Sequence, residues 1–269
     1  KSLVLIQNVG DVLVFDNDKV KSFEDTYIQF AKSKGSTAAS DVQKILKERI
    51  GLTIDVPFKN ESDDYYGINI NGALTLVDSV DNQFGTSDQP FTLKDGTTIN
   101  VPTTSLYERE DYLYYEGTNY TAVRQQIEYT SLLFVLPNEG YELSDINLTD
   151  AYKDIMENGK YYGVKGYIPY FSVEKSQDLT NDYYKLLTLD EKLCDKVLKD
   201  NPINDDLIVS AVLQNSKFEF NKYGVKGESI TTIQAAGDAA EDPAKEIKTF
   251  ECNRPFYAIS IYDNFPLFA

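Results

Sequence analysis

The sequence has 269 residues, of which 42% are hydrophobic, enough to bury a substantial core in one large domain or two small ones. Its formal net charge of −17 argues against nucleic acid or an anionic membrane as a partner, because both would repel it. The chain has no histidine, which excludes Ser-His-Asp and Cys-His mechanisms and histidine-based zinc sites. No apolar run approaches the roughly 20 residues that span a bilayer.

Other patterns narrow the chemistry further. No P-loop or dinucleotide-binding glycine string occurs, so nothing indicates a phosphate-binding loop. Adjacent acids such as Asp63 and Asp64 are common in a chain with 43 acidic residues, and we interpret them as solvated surface. Two cysteines, Cys194 and Cys252, are too few for a disulfide framework. We therefore predict a protein that is not an enzyme, with no catalytic residue, no metal site and no cofactor.

The N-terminal part is predicted to begin as a strand and to continue as a helix. Residues 3–15 are apolar but include Asn8 and Gly10, which is typical of a β-rich start rather than a signal peptide. We expect that any export signal has been removed or never existed. In residues 21–33, aromatic side chains recur at i, i+4 and i+7 (Phe23, Tyr27 and Phe30), which predicts a short amphipathic helix.

A second helix is predicted to follow. Ser40 and Gln43 have the spacing of a capping box. Apolar residues then recur at helical spacing, together with Arg49, until Gly51: Val42, Ile45, Leu46 and Ile50. The apolar run at residues 70–80 predicts a strand buried on both faces.

The middle of the chain is predicted to be mainly β. Residues 88–104 indicate a hairpin with its turn at Asp95 and Gly96. The tyrosine-rich residues 110–129 supply further strands, because aromatics at this density usually pack on a sheet.

Strands and helices then alternate irregularly. Residues 131–140 predict a buried strand that ends at Pro137, and residues 142–159 predict a helix. Residues 166–179 indicate another strand, and residues 180–200 are mostly helical in pattern. Strands dominate without a regular strand-helix-strand period, which predicts an α+β fold with a large mixed sheet in a single domain.

The stretch near the C-terminus organises the rest of the chain. Phe218 and Phe220 alternate with polar residues as in a half-buried strand, and Gly224 ends that strand. Residues 225–245 are small or polar and contain no aromatic residue, which indicates an exposed loop. A loop of this length between two strands is usually functional.

Five strings occur in a recognisable order. They are SLLFVLPNEG (131–140), YIPYFSVEKSQDL (167–179), LIVSAVLQNSKF (207–218), FEFNKYG (218–224) and NRPFYAISIYDNFPLFA (253–269). Together they resemble the serpin family of protease inhibitors, with Gly224 at the hinge glycine. The resemblance implies one serpin-like domain over residues 1–269, with a large mixed sheet, further sheets and several helices. It also implies an exposed reactive-centre loop at about residues 224–248.

The chain departs from the family pattern in places. Asp78 stands where an Asn is common, and Gln214 where many members carry a histidine. Residues 81–84 occupy the place of the usual Phe-x-Gly-x-Trp string. The family's first helices have no counterpart, so the chain is a fragment, a compact divergent member, or a protein whose first helices lie outside this sequence.

The resemblance implies inhibition by a change of fold. In serpins the protease cuts the loop, whose N-terminal part enters the main sheet as a new strand and carries the acyl-enzyme with it. Alternation from Gly224 puts only uncharged residues on one face: Val225, Gly227, Ser229, Thr231, Ile233, Ala235 and Gly237. The charged residues Lys226, Glu228 and Asp238 share the other face, which chance alone would give about a quarter of the time. The predicted hinge comprises Gly224, Val225, Gly227, Ser229 and Thr231.

Two counts place the reactive bond differently. Counting forward from Gly224 by the family offset places it between Asp238 and Ala239, and we prefer this count because the sheet sets the inserted length. Counting back from Pro255 places it within residues 241–244. The alternative residues are Ala240, Glu241, Ala244 and Lys245. Small and acidic residues before the bond indicate an elastase-like or acid-preferring target protease.

We therefore predict a serpin-type inhibitor of a serine or cysteine protease. Its expected partner is the target protease, with no nucleic acid and no membrane partner, and we expect a monomer. An extracellular location follows from the habit of the family alone. One alternative is a non-inhibitory serpin-like binding protein, which the missing early helices and the bulky Ile230 and Ile233 favour. Another is an acidic β-rich surface module unrelated to proteases.

Overall fold

The computed structural model describes most of the chain. The described residues are 1–10, 20–23, 26–58, 62–64, 67–79, 85–107, 111–127, 130–182, 212–227 and 246–269. The helices of more than ten residues among them are α1 (Ala38–Ile50) and α2 (Leu148–Asn158). Short 3-10 turns at Gly35–Thr37 and Leu143–Asp145 come before these helices.

Strands make up most of the described structure. They are β1 (Ser2–Val9), β2 (Val20–Phe23), β3 (Thr26–Ser33), β4 (Gly67–Leu74), β5 (Leu76–Ser79), β6 (Ser87–Thr92), β7 (Thr98–Leu106), β8 (Asp111–Glu116), β9 (Tyr120–Gln126), β10 (Thr130–Pro137), β11 (Lys160–Pro169), β12 (Phe171–Asp178), β13 (Leu213–Asn221), β14 (Gly224–Gly227), β15 (Ile247–Glu251), β16 (Tyr257–Tyr262) and β17 (Phe265–Phe268). The predominance of strands with interspersed helices confirms the predicted α+β class.

The strands form three sheets. The first has four strands in the order β2-β3-β1-β4. The second has nine strands, in the order β17-β16-β10-β9-β8-β11-β7-β6 with β15 paired to β11. The third has four strands in the order β12-β13-β14-β5. The nine-stranded sheet is mixed, as predicted, because β15 runs parallel to β11 while its other pairs are antiparallel.

Two compact units divide the chain. The first unit comprises Lys1–Leu76, Val173–Lys217 and Gly227–Ser229, and the second comprises Val77–Ser172, Phe218–Lys226 and Ile230–Ala269. The single serpin-like domain over residues 1–269 stays a prediction. None of the described helices is long and apolar enough to cross a membrane.

In the first unit, α1 covers one face of the first sheet. Leu3 and Leu5 of β1 are fully buried there. They pack in one cluster with helix residues spaced four apart: Val42, Leu46 and Ile50. The predicted helix is confirmed, and it ends where expected because Gly51 adopts a left-handed φ of 75°.

The predicted start of this helix is wrong. The helix begins at Ala38, and the Ser40 hydroxyl donates a hydrogen bond to the Thr37 carbonyl (2.9 Å) instead of capping. The Gln43 side chain donates to the Ile54 carbonyl (3.0 Å) and accepts from the backbone N–H of Val56 (2.8 Å). Ser40 and Gln43 therefore form no capping box, because Gln43 ties down the segment after the helix.

The helix predicted for residues 21–33 is also wrong. These residues form β2 and β3, and β3 pairs with β1 in parallel along all eight residues. In this register Ile28 lies opposite Val4. Aromatic and β-branched residues suit a strand, and pairing with β1 satisfies the backbone of β3, so the long-range contact overrides the helical spacing.

The strand predicted at residues 70–80 is present as β4 and β5, but its burial on both faces is wrong. Ala73 packs against the cluster under α1. On the other face, Ile70 is 73% exposed and Leu74 is 44% exposed. The register places Ile6 opposite Ile70 on this open face. The pattern identified the apolar character of both faces, and within the described residues only one face is covered.

In the second unit, β10 lies at the centre of the core. All its residues are buried, and alternate side chains enter two clusters. Leu132 and Phe134 belong to one cluster, while Leu133 and Val135 pack with Ile155 of α2 in the other. The predicted buried strand that ends at Pro137 is confirmed, because a strand inside two layers needs apolar residues on both faces.

Several further predictions hold in this unit. The hairpin at residues 88–104 is present as β6 and β7, with Gly96 at a φ of 84°. The tyrosine-rich residues form β8 and β9. The helix predicted for residues 142–159 is present over Leu148–Asn158 as α2, whereas Leu143–Asp145 form a 3-10 turn before it. The Asn147 side chain caps α2, because it accepts from the N–H groups of Thr149 (3.0 Å) and Asp150 (3.3 Å).

The remaining elements are only partly described. The strand predicted at residues 166–179 is divided into the end of β11 and β12. Residues 180–182 are helical, and residues 183–211 lie outside the described structure. The C-terminal strand pair is present as β16 and β17, joined at Asp263 and Asn264, which both have a positive φ.

Candidate functional site

The candidate site is the pair of strands that flank residues 228–245. Of the predicted hinge, Gly224, Val225 and Gly227 are described and form β14 with Lys226. The other predicted site residues lie outside the described structure: Ser229, Thr231, Asp238, Ala239, Ala240, Glu241, Ala244 and Lys245. The geometry therefore concerns the two anchors of the loop, β14 before it and β15 after it.

The N-terminal anchor, β14, lies within the third sheet. It is hydrogen-bonded to β13 on one side and β5 on the other. Its antiparallel register with β13 places Val225 opposite Phe220 and Gly224 opposite Asn221. Val225 is only 2% exposed and belongs to the same cluster as Phe218 and Phe220. The anchor therefore directs one small apolar side chain into the core.

The turn between β13 and β14 depends on two residues. Gly224 has a φ of 112°, which residues with a side chain rarely adopt, so the glycine allows the chain to reverse here. The Asn221 side-chain oxygen accepts from the N–H of Tyr223 (2.8 Å). These contacts make an Asx turn that returns the chain alongside β13.

Aromatic side chains form the core beneath this anchor. Phe220 is fully buried, and its ring centroid lies 5.5 Å from Tyr170, 5.8 Å from Phe134 and 6.0 Å from Phe171. Spacings in this range are typical of packed aromatic pairs. Phe220 and Phe218 therefore fix β13 firmly, and β14 is added to a rigid strand.

The C-terminal anchor, β15, pairs with one strand among the described residues, β11. It runs parallel to β11, with Phe250 opposite Gly166. Phe250 is 2% exposed, and Gly166 has a φ of 145°. A Cβ atom at position 166 would lie 1.9 Å from the carbonyl oxygen of Phe250. Only glycine lets the two backbones come this close.

The residues after β15 tie the chain to neighbouring strands. The Asn253 carbonyl accepts from the N–H of Thr92 (2.8 Å). The Arg254 guanidinium donates twice to the Pro137 carbonyl, from Nε (3.1 Å) and Nη2 (2.5 Å), and once to the Asn253 side chain (2.8 Å). A cation that donates to a carbonyl makes a stronger bond than a neutral donor. These contacts hold the end of β10 to the C-terminal strands.

Lys248 is the cationic residue of the C-terminal anchor. Its Nζ lies 2.8 Å from Glu246 and 3.9 Å from Glu116. The same atom lies 5.2 Å from the ring centroid of Tyr162 and 5.9 Å from that of Tyr114, within the range of cation–π attraction. The hydrogen bond to Glu246 raises the pKa of Lys248, so this ammonium stays charged at neutral pH.

The described part of the site contains anchoring groups but no nucleophile poised for reaction. Cys252, just beyond β15, is fully buried. This burial raises the pKa of its thiol and keeps it uncharged, so it is a poor nucleophile. No cluster of three or more acidic, cysteine or histidine side chains suitable for a metal occurs in the described residues. The described arrangement holds the two anchor strands and pairs their backbones.

Reasoning from the sequence found one anchor better than the other. The family resemblance placed Gly224 at the hinge, and alternation from Gly224 placed Val225 on the uncharged face, whereas Arg254 was only part of a matching string. Reasoning from the sequence did not identify Gly166 or Lys248. A lone glycine within a strand pattern is a weak signal of close backbone approach, and nothing local to Lys248 indicates its contacts with β8 and β11.

A sequence profile of the family described as Serpin (serine protease inhibitor) matches residues 18–269. The solved structure of tengpin, a thermophilic serpin in its native state, is 19% identical with a TM-score of 0.67, over 98% of this chain and 70% of tengpin. Serpin48 of the insect Tenebrio molitor is 17% identical with a TM-score of 0.65, over 99% of this chain and 73% of Serpin48.

Thyroxine-binding globulin, solved in complex with thyroxine, is 14% identical with a TM-score of 0.63, over 98% of this chain and 71% of the globulin. At these identities the likeness shows the fold, which is serpin-like with several sheets and few helices. No curated protein sequence matches the chain.

Proposed function

The chain belongs to the serpin family, and from that membership we propose that it inhibits a serine or cysteine protease by inserting its cut reactive loop into a sheet. Serpins are generally protease inhibitors rather than enzymes. The target cuts the loop and is held as an acyl-enzyme while the N-terminal part of the loop becomes a strand. The target supplies the catalytic chemistry, so the inhibitor needs only a bait and a sheet that accepts a strand.

One observation carries this proposal. The first residues of the predicted loop, Gly224–Gly227, are already a strand between β13 and β5. An inserting loop extends this strand residue by residue, and each new pair adds a backbone hydrogen bond worth about 0.5–1.5 kcal/mol. The step that nucleates a new strand is therefore already made in the uncut protein.

The side-chain pattern supports the same proposal. Val225 faces the core, so the residues at two-residue intervals after it face the core in an extended strand. Those residues are uncharged as far as Gly237. A shift by one position would bury Lys226 and Glu228, and an unpaired buried charge is strongly unfavourable.

Two strand edges in the first unit support insertion. β4 is the last strand of its sheet, so its outer edge has no partner strand in the ranges described. β14 has only four residues, and its register with β13 covers residues 219–221 of the longer strand. β13 begins at Leu213, so it extends past β14 in the direction in which a growing strand would run.

The observed register also predicts a charge pair in the inserted state. Glu219 lies opposite Lys226, two positions of opposite charge. The same register, continued, brings Glu228 opposite Lys217. Opposite charges facing each other across a ladder stabilise it by about 0.2–1 kcal/mol. We expect this pair to favour the correct register over a shifted one.

The experiment compares two matched variants of neighbouring threonines. Thr231→Arg puts a charge on the face that we propose enters the core, and Thr232→Arg puts it on the opposite face. Each variant is incubated with an elastase-like and a subtilisin-like protease. We expect an SDS-stable adduct with the parent protein and with Thr232→Arg. For Thr231→Arg we expect a cut loop without adduct.

Two outcomes would contradict the proposal. The first is equal behaviour of the two threonine variants, because insertion requires that the faces differ. The second is a loop that is cut by a broad panel of proteases without any adduct and without a rise in thermal stability.

We propose Asp238–Ala239 as the reactive bond. The small C-terminal fragment released from the adduct should begin at Ala239, which mass spectrometry can determine. The alternatives predict starts within residues 240–245, at Ala240, Glu241, Ala244 or Lys245. A bond at Asp238 would also favour an elastase-like or acid-preferring target, because no arginine or aromatic residue precedes it. Replacing Asp238 with Arg should shift inhibition to trypsin-like proteases.

A second candidate is a non-inhibitory binding protein with the serpin fold. The bulky Ile230 and Ile233 near the hinge favour it, and one structural neighbour is named for binding thyroxine. This candidate predicts a loop that is cut without adduct in the parent protein as well as in both threonine variants.

We further propose a monomer that works outside the cell, where most serpin homologues act. Light scattering of the purified protein tests the oligomeric state.

A further inference from the structure

β15 has few side chains that hold it in the nine-stranded sheet. Three of its five residues, Ile247, Thr249 and Glu251, are exposed. The inward residues are Lys248 and Phe250, two positions apart on the same face. Phe250 is in the core at the far end of the strand. Lys248 is therefore the inward side chain nearest to residues 228–245.

Lys248 is held by contacts from three elements. Glu246 precedes the strand, Glu116 ends β8, and Tyr162 lies on β11. The rings of Tyr114 and Tyr162 meet edge to face at 5.8 Å, and the ammonium lies over both. The side chain of Lys248 is 25% exposed, whereas those of the two glutamates are about two-thirds exposed (62% and 66%). Water and salt therefore screen the ion pairs more than the aromatic contacts.

The charge of Lys248 also offsets the repulsion between two nearby carboxylates, those of Glu116 and Glu246. Glu116 and Glu246 both approach its Nζ, so removing the ammonium leaves two carboxylates without their shared cation. Like charges near each other across a sheet are destabilising. The loss of Lys248 should therefore separate Glu246, at the start of the anchor, from the end of β8.

We propose that Lys248 is a positioning residue that latches the loop-side end of β15 to β8 and β11. When the latch holds, β15 stays paired with β11 from Ile247 onward, and the loop keeps a fixed C-terminal boundary. When it is lost, the first residues of β15 leave β11 more often. This consequence for an intact reactive loop rests on the proposed function, whereas the latch itself does not.

Hydrogen exchange on the full chain tests the latch directly. Lys248→Met keeps most of the aliphatic stem and removes the charge. We expect amide exchange in residues 247–250 to become about fivefold faster, the size of a partly exposed ion pair combined with a cation–π contact. Lys248→Arg should restore near-parent exchange, because it keeps the charge and stacks on tyrosine.

Two further variants control for folding and for charge. Lys165→Met removes a lysine from the outward face of β11, where Lys165 lies opposite Thr249, and should leave exchange in β15 unchanged. Glu246→Gln removes the closest ion pair from an exposed position and should accelerate exchange about twofold even if Lys248→Met folds poorly.

The outcomes separate the latch from inhibition. Equal exchange in the parent, Lys248→Met and Glu246→Gln proteins overturns the latch, whatever the protein does to proteases. Faster exchange in both variants with rescue by Lys248→Arg supports it. A parent protein that forms no protease adduct contradicts the proposed function and leaves the exchange result intact.

Discussion

β14 and β15 are short strands at the two ends of residues 228–245, and they are attached in different ways. β14 lies between two strands and inserts a single side chain, Val225, into the core. In the part of the chain that the structure describes, β15 pairs with β11 alone, and its attachment relies on Phe250, on the contacts of Lys248 and on the close approach of Gly166.

The difference shows that the two strands flanking residues 228–245 depend on their side chains to different degrees. Backbone pairing at β14 asks little of the side chains, so the extension of this strand that we propose requires only small, uncharged residues on the inward face. The contacts of β15 are specific to particular side chains and cannot be transferred to the next residue. Substitutions should therefore cost more at the C-terminal anchor than at the N-terminal anchor.

Gly166→Ala should have the largest effect. The new Cβ would meet the Phe250 carbonyl at 1.9 Å, and the φ of 145° is strained for alanine. Backbone strain and overpacking together should lower the free energy of unfolding by about 4 kcal/mol. Urea titration measures the loss. Gly72→Ala is the control, because its Cβ would meet nothing within 4 Å. Similar free energies of unfolding for the two variants would contradict the claim that position 166 requires glycine.

Arg254→Met should have the next largest effect. It leaves the Pro137 carbonyl without its two donors, and hydrogen bonds from a charged group contribute about 1.5–3 kcal/mol. We expect a loss of about 2 kcal/mol in the same urea titration. Arg254→Lys keeps the charge without the planar fork and should recover only part of the stability. Full recovery by lysine would mean that charge alone holds β10 to the C-terminal strands.

Val225→Ala tests the N-terminal anchor and should cost less. It removes two buried methyl groups, each worth about 0.8 kcal/mol, so we expect a loss of about 1.5 kcal/mol. Val173→Ala is the matched control, because Val173 is 58% exposed and its loss should be small. If Val225→Ala were as costly as Gly166→Ala, the proposed contrast between the anchors would fail.

Asn221→Ala should have the smallest effect. It removes two hydrogen bonds of the turn: the Tyr223 N–H donates to the Asn221 side-chain oxygen (2.8 Å), and Asn221 Nδ2 donates to Glu219 (2.5 Å). We expect a loss of about 1 kcal/mol, because both bonds lie where water can replace part of them. Lys222→Ala, in the same turn, serves as the control. A fall in the free energy of unfolding of more than about 2 kcal/mol would be large for an exposed turn. It would show that the turn secures β14 more than the core contact of Val225 does.

Much of the fold follows from local pattern. The helix that ends at Gly51, the hairpin around Gly96 and the buried strand that ends at Pro137 are all correctly predicted, because each has its own turn residue or continuous apolar run. The helix expected at residues 21–33 fails for the opposite reason. Its spacing suits a helix, but β1 offers a strand partner that no local pattern reveals.

The candidate site divides in the same way. Alternation counted from Gly224, which the family resemblance places at the hinge, puts Val225 on the uncharged face, and its side chain is buried in the aromatic cluster. Gly166 escaped prediction because its role depends on Phe250, which lies more than 80 residues away in the chain. Lys248 escaped prediction because its role depends on two separate strands, β8 and β11. The reactive bond at Asp238–Ala239 stays a prediction, since it lies outside the described residues.

By itself, the sequence determined elements with their own end signals, such as the helix that ends at Gly51 and the strand that ends at Pro137, because these signals are local. It also determined the absence of histidine chemistry and the sorting of charges after Gly224, because composition and alternation are local properties. Only the tertiary structure decided that residues 26–33 are a strand, that β14 lies between β13 and β5, and that β15 depends on Gly166 and Lys248. Strand pairing and close backbone approach join residues far apart in the chain. Their free energy depends on the partner, which no local window of sequence contains.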